Sequence, residues 1–412
     1  MDYYDELETR DPAERERQLF AALPGQIAHA KTHAPGFAVL LRGVDPRTIT
    51  SRAALAKLPL VRKSALKDLQ RQQMPFGGLS AAPLARLGRV YASPGPVYDP
   101  QGREPDYWRF ARALFAAGFR KGDLIHNCFA YHLTPAGFMF DSGAQALGCA
   151  VFPGGTGNTE QQIAAMSDLK PQGYAGTPSF LRIILEKAEE AGADLSSLAR
   201  ALVAAEALPA SLRAQFERRG IRTLQCYATA DLGLIAYESD AREGMIVDEG
   251  VIVEVVRPGT GDPVAEGDVG EVVVTTLTRD YPLIRFATGD LSAVAAGASP
   301  CGRTNMRIKG WMGRADQSTK VRGMFVHPAQ IVAVERLHPD IVKSRLVVDF
   351  DERRNDRMTL HCELRATPAE RFAQAIGESM REVCSLRAEV RFVPAGSLPN
   401  DGKVIDDTRR YD

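Results

Sequence analysis

Three short groups in the C-terminal third carry side chains that could handle a nucleotide. Arg285-Phe-Ala-Thr-Gly-Asp290 follows a β-rich run, so its carboxylate is expected on a loop after strands, where it could accept both hydroxyl protons of a ribose. Gly313-Arg-Ala-Asp316 comes next, with Lys320-Val-Arg-Gly323 behind it. Arg314 can hydrogen-bond a ribose or a phosphate, and Asp316 stands where one domain gives way to the next. Last is Lys403, beside Gly402 in the turn-rich stretch LPNDGKVIDD. Singly, each has a plainer reading: a TGD turn, a charged hairpin, a solvated loop lysine.

Together, and in this order, they resemble the adenylate-forming superfamily of acyl- and aryl-CoA ligases, luciferases and peptide-synthetase adenylation domains. Within that group the strongest likeness is to phenylacetate-CoA ligases. The shared wording PGGTGNTEQQI, GTPSF, VVVTTLTRDYPLIRFATGDLS, CGRTNMRIKGWMGRADQ and VRGMFVHPAQI spreads over roughly residues 85–410. The resemblance implies that Asp290 binds the ribose hydroxyls of AMP and that Arg314 contacts ribose or phosphate. It makes Asp316 the hinge of a rotating small domain. It gives Lys403 the charge developing between carboxylate and α-phosphate. Tyr227 falls at the aromatic that stacks on adenine, and Gly323 at the strand that lets pantetheine pass. The implied cofactors are ATP, Mg²⁺ and CoA, and a homodimer is the assembly such relatives often adopt.

Two stretches depart from that pattern. Where the family reads Ser-Ser-Gly-Thr-Thr-Gly-Lys-Pro, a loop that cradles the β- and γ-phosphates, this chain reads Ser93-Pro-Gly-Pro-Val-Tyr-Asp-Pro100. Ser93 and Gly95 remain candidate nucleotide contacts, but both threonines are gone and the lysine position carries Asp99. Prolines 94 and 96 remove amide donors. Where the family reads Tyr-Gly-x-Ser/Thr-Glu, this chain reads Tyr227-Ala-Thr-Ala-Asp231. Asp231 keeps the charge of the Mg²⁺-holding glutamate on a shorter side chain. Two functions stay open: an AMP-forming aryl- or arylacetate-CoA ligase, or a non-adenylating relative that binds acyl-adenylate or acyl-CoA.

The acid itself would sit against an aromatic-rich stretch. Tyr131, His132, Phe138, Phe140 and Phe152 fall within it, and Thr177 of the GTPSF loop is a weaker candidate. That density leans towards a small aromatic carboxylic acid, although any single aromatic is more often core. His126 and His132 could polarise a ring substituent, with core or surface placement the plainer reading.

These residues need a scaffold of two domains, since 412 residues exceed a single core of about 250–300. We expect a large α/β domain over 1–312 and a small mobile α+β domain over 313–412. Strand, loop and helix alternate through GTGNTEQQI, GYAGTPSF and ALVAAEALP, the pattern of a mostly parallel sheet covered by helices. From Met245 onward, β-branched runs broken by Gly/Asp/Pro turns predict antiparallel strands. Helices are expected within 1–75, with a start near Thr48, and another helix opened by Glu104 and Pro105. LPNDGKVIDD is expected as a loop. Lys+Arg and Asp+Glu are both 51, so no charge imbalance points to nucleic acid or a membrane surface. No apolar run reaches 18 residues, and the acidic N-terminus lacks a secretory pattern. Six scattered cysteines without a CxxC pair read as reduced thiols in a cytoplasmic protein, with a zinc site as the remaining alternative.

Overall fold

The computed structural model describes residues 2–93, 96–315, 319–321, 324–352, 355–365, 368, 371–399, 401 and 403–409. Gly95, Asp316 and Gly323 therefore lie outside the described residues. The chain divides into two compact units. Met1–Val253, Val273–Thr288 and Ala295–Trp311 form the first; Glu254–Val272, Gly289–Val294 and Met312–Asp412 form the second.

In the first unit, a sheet runs in the order Met245–Val247, Gly233–Glu238, Arg222–Thr229, Arg200–Val203, Gly173–Gly176, Leu124–Asn127 and Ala150–Phe152. The strands from Ala150–Phe152 to Arg222–Thr229 pair in parallel. Gly233–Glu238 and Met245–Val247 are antiparallel additions. Crossover helices Ala136–Leu147, Thr159–Leu169, Pro178–Ala191 and Ala210–Arg218 supply the cover. Alternate residues of one strand feed opposite faces. Tyr174, Ala201 and Val203 enter a cluster with Met166, Leu181 and Phe216. Ala175 and Leu202 enter the cluster with Trp108, Phe110, Phe119 and Phe140. This is the expected α/β class.

The N-terminal stretch is helical as its Leu/Ala spacing predicts. Pro12–His33 starts behind Asp11, whose side chain accepts from the N–H groups of Ala13 and Glu14. The start expected near Thr48 lies at Arg52 instead, because Ser51 supplies the cap and accepts from Ala54 N. Likewise, the helix expected at Glu104–Pro105 begins at Phe110. Asp106 reaches forward to accept from Phe110 N and Ala111 N at 2.8 and 2.9 Å, and Arg109 takes a left-handed turn at φ 65°.

The second unit carries a four-stranded sheet in the order Glu389–Val393, Asp356–Leu364, Ile341–Phe350, Ile405–Asp407. Leu346, Val348, Leu360 and Cys362 pack beneath helices Pro328–Leu337 and Phe372–Cys384 through Ile331, Val334, Ile376 and Met380. Part of LPNDGKVIDD is strand rather than loop. Ile405 is buried and pairs in parallel with Leu346, and its burial outweighs the turn-forming residues before it. Among the described residues, no helix is long and apolar enough to cross a membrane. All six cysteines are buried and unbridged, and among the described residues no group of three or more His, Cys, Asp or Glu side chains is placed to hold a metal.

Candidate functional site

Three of the expected residues come together in the second unit. Asp290 is not on a loop after the strands; it lies inside strand Phe286–Ala295. Backbone bonds to the following segment keep it extended: Leu291 N to Gly313 O and Met312 N to Leu291 O, both 2.9 Å, and Ala315 N to Gly289 O, 2.7 Å. That ladder sets Arg314 directly across from Asp290, and its Nη1 donates to Asp290 Oδ1 at 3.0 Å. A cleft of about 310 Å³ is lined by Leu291, Arg314, Thr319, Lys403, Ile405 and Asp407 among others. The pairing of Ile405 with Leu346 delivers Lys403 to this cleft. Its Nζ donates to Asp406 Oδ1 at 3.0 Å, with the side chain 48% exposed, so the ammonium can exchange partners without unfolding anything.

A second cluster belongs to the first unit. Tyr227 is buried in strand Arg222–Thr229, and its hydroxyl donates to Thr288 Oγ1 at 3.2 Å. At the end of the same motif Asp231 is fully enclosed, with Lys63 Nζ 2.6 Å from Oδ2. Hairpin Arg89–Ser93/Val97–Gln101 brings in the altered loop. Ser93 Oγ is hydrogen-bonded to Asp99 Oδ2 at 2.6 Å. Among the described residues, Asp99 Oδ1, Asp231 Oδ1 and the Tyr281 hydroxyl are buried without a hydrogen-bond donor to them or acceptor from them. Burial, and then the neighbouring Asp231 carboxylate, push the Asp99 carboxyl well above its ordinary range. Protonation of Asp99 is thereby favoured over the charged carboxylate. Burial and the same two acids raise Tyr281.

This has a pH signature. Asp99 is raised in the folded chain, so folding binds a proton. The stability it contributes is complete below about pH 3.8, its ordinary value, and is lost as pH climbs to the folded value. Asp99→Asn cannot ionise and should flatten that decline. Urea melts of both proteins between pH 4 and 8 check this; parallel pH curves would mean that Asp99 is ionised in the fold.

The aromatic stretch splits. Phe140 is core, stacked 4.4 Å from Phe129 and tilted against Phe110 at 4.5 Å. Phe138 is only half-buried and stands 5.1 Å from the Tyr131 ring and 5.7 Å from Tyr91, with Arg89 Cζ 4.4 Å over its face. The Tyr131 hydroxyl donates to Asp141 Oδ2 at 3.0 Å and accepts from Asn127 at 2.8 Å. His132 is exposed. His126 is buried against Phe152 and Gln162 Oε1, and burial lowers its pKa. Thr177 is occupied as the N-cap of Pro178–Ala191, accepting from Phe180 N at 3.3 Å.

Lys63, Thr288 and Tyr281 escape the sequence reading. The only local signal for Lys63 is its place just beyond the short Val61–Arg62 strand. Val61–Arg62 pairs in parallel with Phe286–Ala287, which sets the next residue beside Thr288. Arg285, within the recognised motif, is structural here: it is buried, with Nη1 donating to the carbonyls of Ala56 and Leu58.

Residues 130–278 match the model of the AMP-binding enzyme family, which places the chain in the adenylate-forming class. A phenylacetate-coenzyme A ligase of Thermus thermophilus is 33% identical over 398 residues, 92% of this chain and 87% of that one. One from Aromatoleum evansii is 31% identical, covering 83% and 80%. The crystal structure of 2-hydroxyisobutyryl-CoA ligase in the postadenylation state superposes with a TM-score of 0.71 at 24% identity, covering 97% of this chain and 91% of that one, a likeness of fold. The chain belongs to the phenylacetate-coenzyme A ligase family. It is an AMP-forming acid–thiol ligase that uses ATP and CoA.

Proposed function

We propose that the acid is a small aromatic one, an arylacetate or arylcarboxylate. The half-buried Phe138, set among Tyr131, Tyr91 and the Arg89 guanidinium, carries this reading. A ring laid against such a wall gains dispersion and apolar burial, worth about 1.5–3 kcal/mol for a full side chain. The relatives named phenylacetate-coenzyme A ligase support the same class.

In the first half-reaction a carboxylate oxygen attacks the α-phosphorus of ATP, the bond to pyrophosphate breaks, and an acyl-adenylate forms. In the second, the CoA thiolate attacks the acyl carbon and AMP leaves. Asp290 accepts from the ribose hydroxyls, Arg314 contacts ribose or phosphate, and Tyr227 meets adenine. Lys403 leaves Asp406 to meet the charge that develops between carboxylate and α-phosphate. A small domain starting at 313 rotates about Asp316 between the two halves, and Gly323 admits pantetheine. The Asp231 Oδ1 atom, buried without a partner, fits one oxygen of a Mg²⁺ shell that substrate phosphates complete. That ion would neutralise the pyrophosphate as it departs.

An acid panel with pyrophosphate release and thioester formation as readouts tests the substrate class. Arylacetates or benzoates should exceed short aliphatic and 2-hydroxy acids by at least about 10-fold in kcat/KM. Preference for an aliphatic acid would overturn the aromatic assignment.

A further inference from the structure

The altered loop raises a charge problem. A triphosphate brings several negative charges, yet the position where this family's loop carries lysine holds Asp99, and the hairpin offers the Ser93 hydroxyl, already bonded to that acid, and no cation. A cation does reach the cluster, from outside every nucleotide motif. Lys63 follows the Val61–Arg62 strand, whose pairing with Phe286–Ala287 and the Val61 N to Arg285 O bond of 3.1 Å anchor it to the strand that carries Thr288. Its ammonium meets Asp231 Oδ2 at 2.6 Å.

We propose that Lys63 is a phosphate-binding residue that supplies, from the N-terminal segment, the positive charge that the loop lacks, engaging the β- and γ-phosphates of ATP beside Asp231. The geometry separates this from simple neutralisation of a buried acid. Asp231 is wholly enclosed while the Lys63 side chain is 32% exposed. The lysine thus approaches Asp231 from the open side, with part of its stem and head within reach of solvent. A lysine suits this task, since it acts as a point charge with three rotatable donors on a flexible stem.

The inference rests on ATP use by this chain, and its test keeps the two apart. ATP and AMP each carry adenine, ribose and α-phosphate; only ATP carries the groups assigned to Lys63. Lys63→Met should weaken binding of a non-hydrolysable ATP analogue about 10- to 100-fold in calorimetry, as loss of a charged hydrogen bond implies, while AMP binds as in wild type. In kinetics KM for ATP should rise by the same factor, and thioester formation from synthetic acyl-adenylate and CoA should be unchanged. Lys63→Arg should recover most of the ATP affinity. Lys63→Gln, which keeps a donor to Asp231, serves if the methionine variant folds poorly, and should show the same split. Equal loss for ATP and AMP, or unchanged ATP affinity, would overturn the role of Lys63. Failure of the wild type to bind the ATP analogue would instead strike at ATP use itself.

Discussion

Lys403→Ala should slow acyl-adenylate formation about 10²–10³-fold, with much smaller effects on substrate binding and on the second half-reaction. The residue lines a cleft with Arg314, its ammonium held by Asp406 at 3.0 Å on a side chain that is 48% exposed. Such a contact adds little to stability, on the order of 1 kcal/mol or less. A large catalytic loss would therefore report on the reaction and not on folding. As carboxylate oxygen meets α-phosphorus, negative charge gathers on the non-bridging oxygens, and a preplaced cation stabilises that arrangement more than the ground state. Burst measurements of pyrophosphate check the first half. Synthetic acyl-adenylate plus CoA checks the second, where the variant should keep close to wild-type rates. Equal damage to both halves would remove Lys403 from the adenylation step.

Glu8→Ala should cost about 3–5 kcal/mol of folding stability, the usual penalty for removing one partner of a buried ionic network. Glu8 is only 1% exposed and sits in the short turn Glu6–Thr9. It accepts from Tyr237 Oη at 2.7 Å and Tyr4 N at 2.8 Å, and it pairs with Arg303 at 3.1 Å and Arg112 at 3.6 Å. Alanine would leave the Tyr237 hydroxyl and part of the Arg303 charge unsatisfied in the interior. Tyr237 belongs to strand Gly233–Glu238, which pairs Ala236 with Tyr227, so the loosening reaches the strand that carries the adenine-side aromatic. Urea titration gives the free energy directly. Glu8→Gln, which still accepts from Tyr4 N, should lose less, and a neutral Glu8→Ala would show that water replaces the network.

What could be read in advance follows from how local the cause is. The parallel core declares itself through short apolar runs such as GYAG and RALV between loops and helices, because each strand is buried on both faces. The motif residues Asp290, Arg314 and Lys403 stand out by kind and order. Other features depend on partners far away in the chain. The Asp290 backbone is extended because residues 312–315 pair with it, which the TGD turn signal hides. Ile405 becomes strand through Leu346, some sixty residues earlier. Asp99 reads as an acid misplaced in the lysine position until hairpin pairing turns it inward, and Lys63 has only a short neighbouring strand to mark it. The aromatic run looked uniform, but packing against Phe110 and Phe129 commits Phe140 to the core and leaves Phe138 at a half-open face.

The most direct test of an AMP-forming ligase for aromatic acids is a rapid-quench experiment with enzyme in excess of ATP, an arylacetate present and CoA withheld. One pyrophosphate and one enzyme-bound aryl-adenylate should appear per ATP consumed, and a chase with CoA should convert that adenylate to thioester and AMP. Release of ADP and phosphate, or no pyrophosphate with any aromatic acid, would contradict the account.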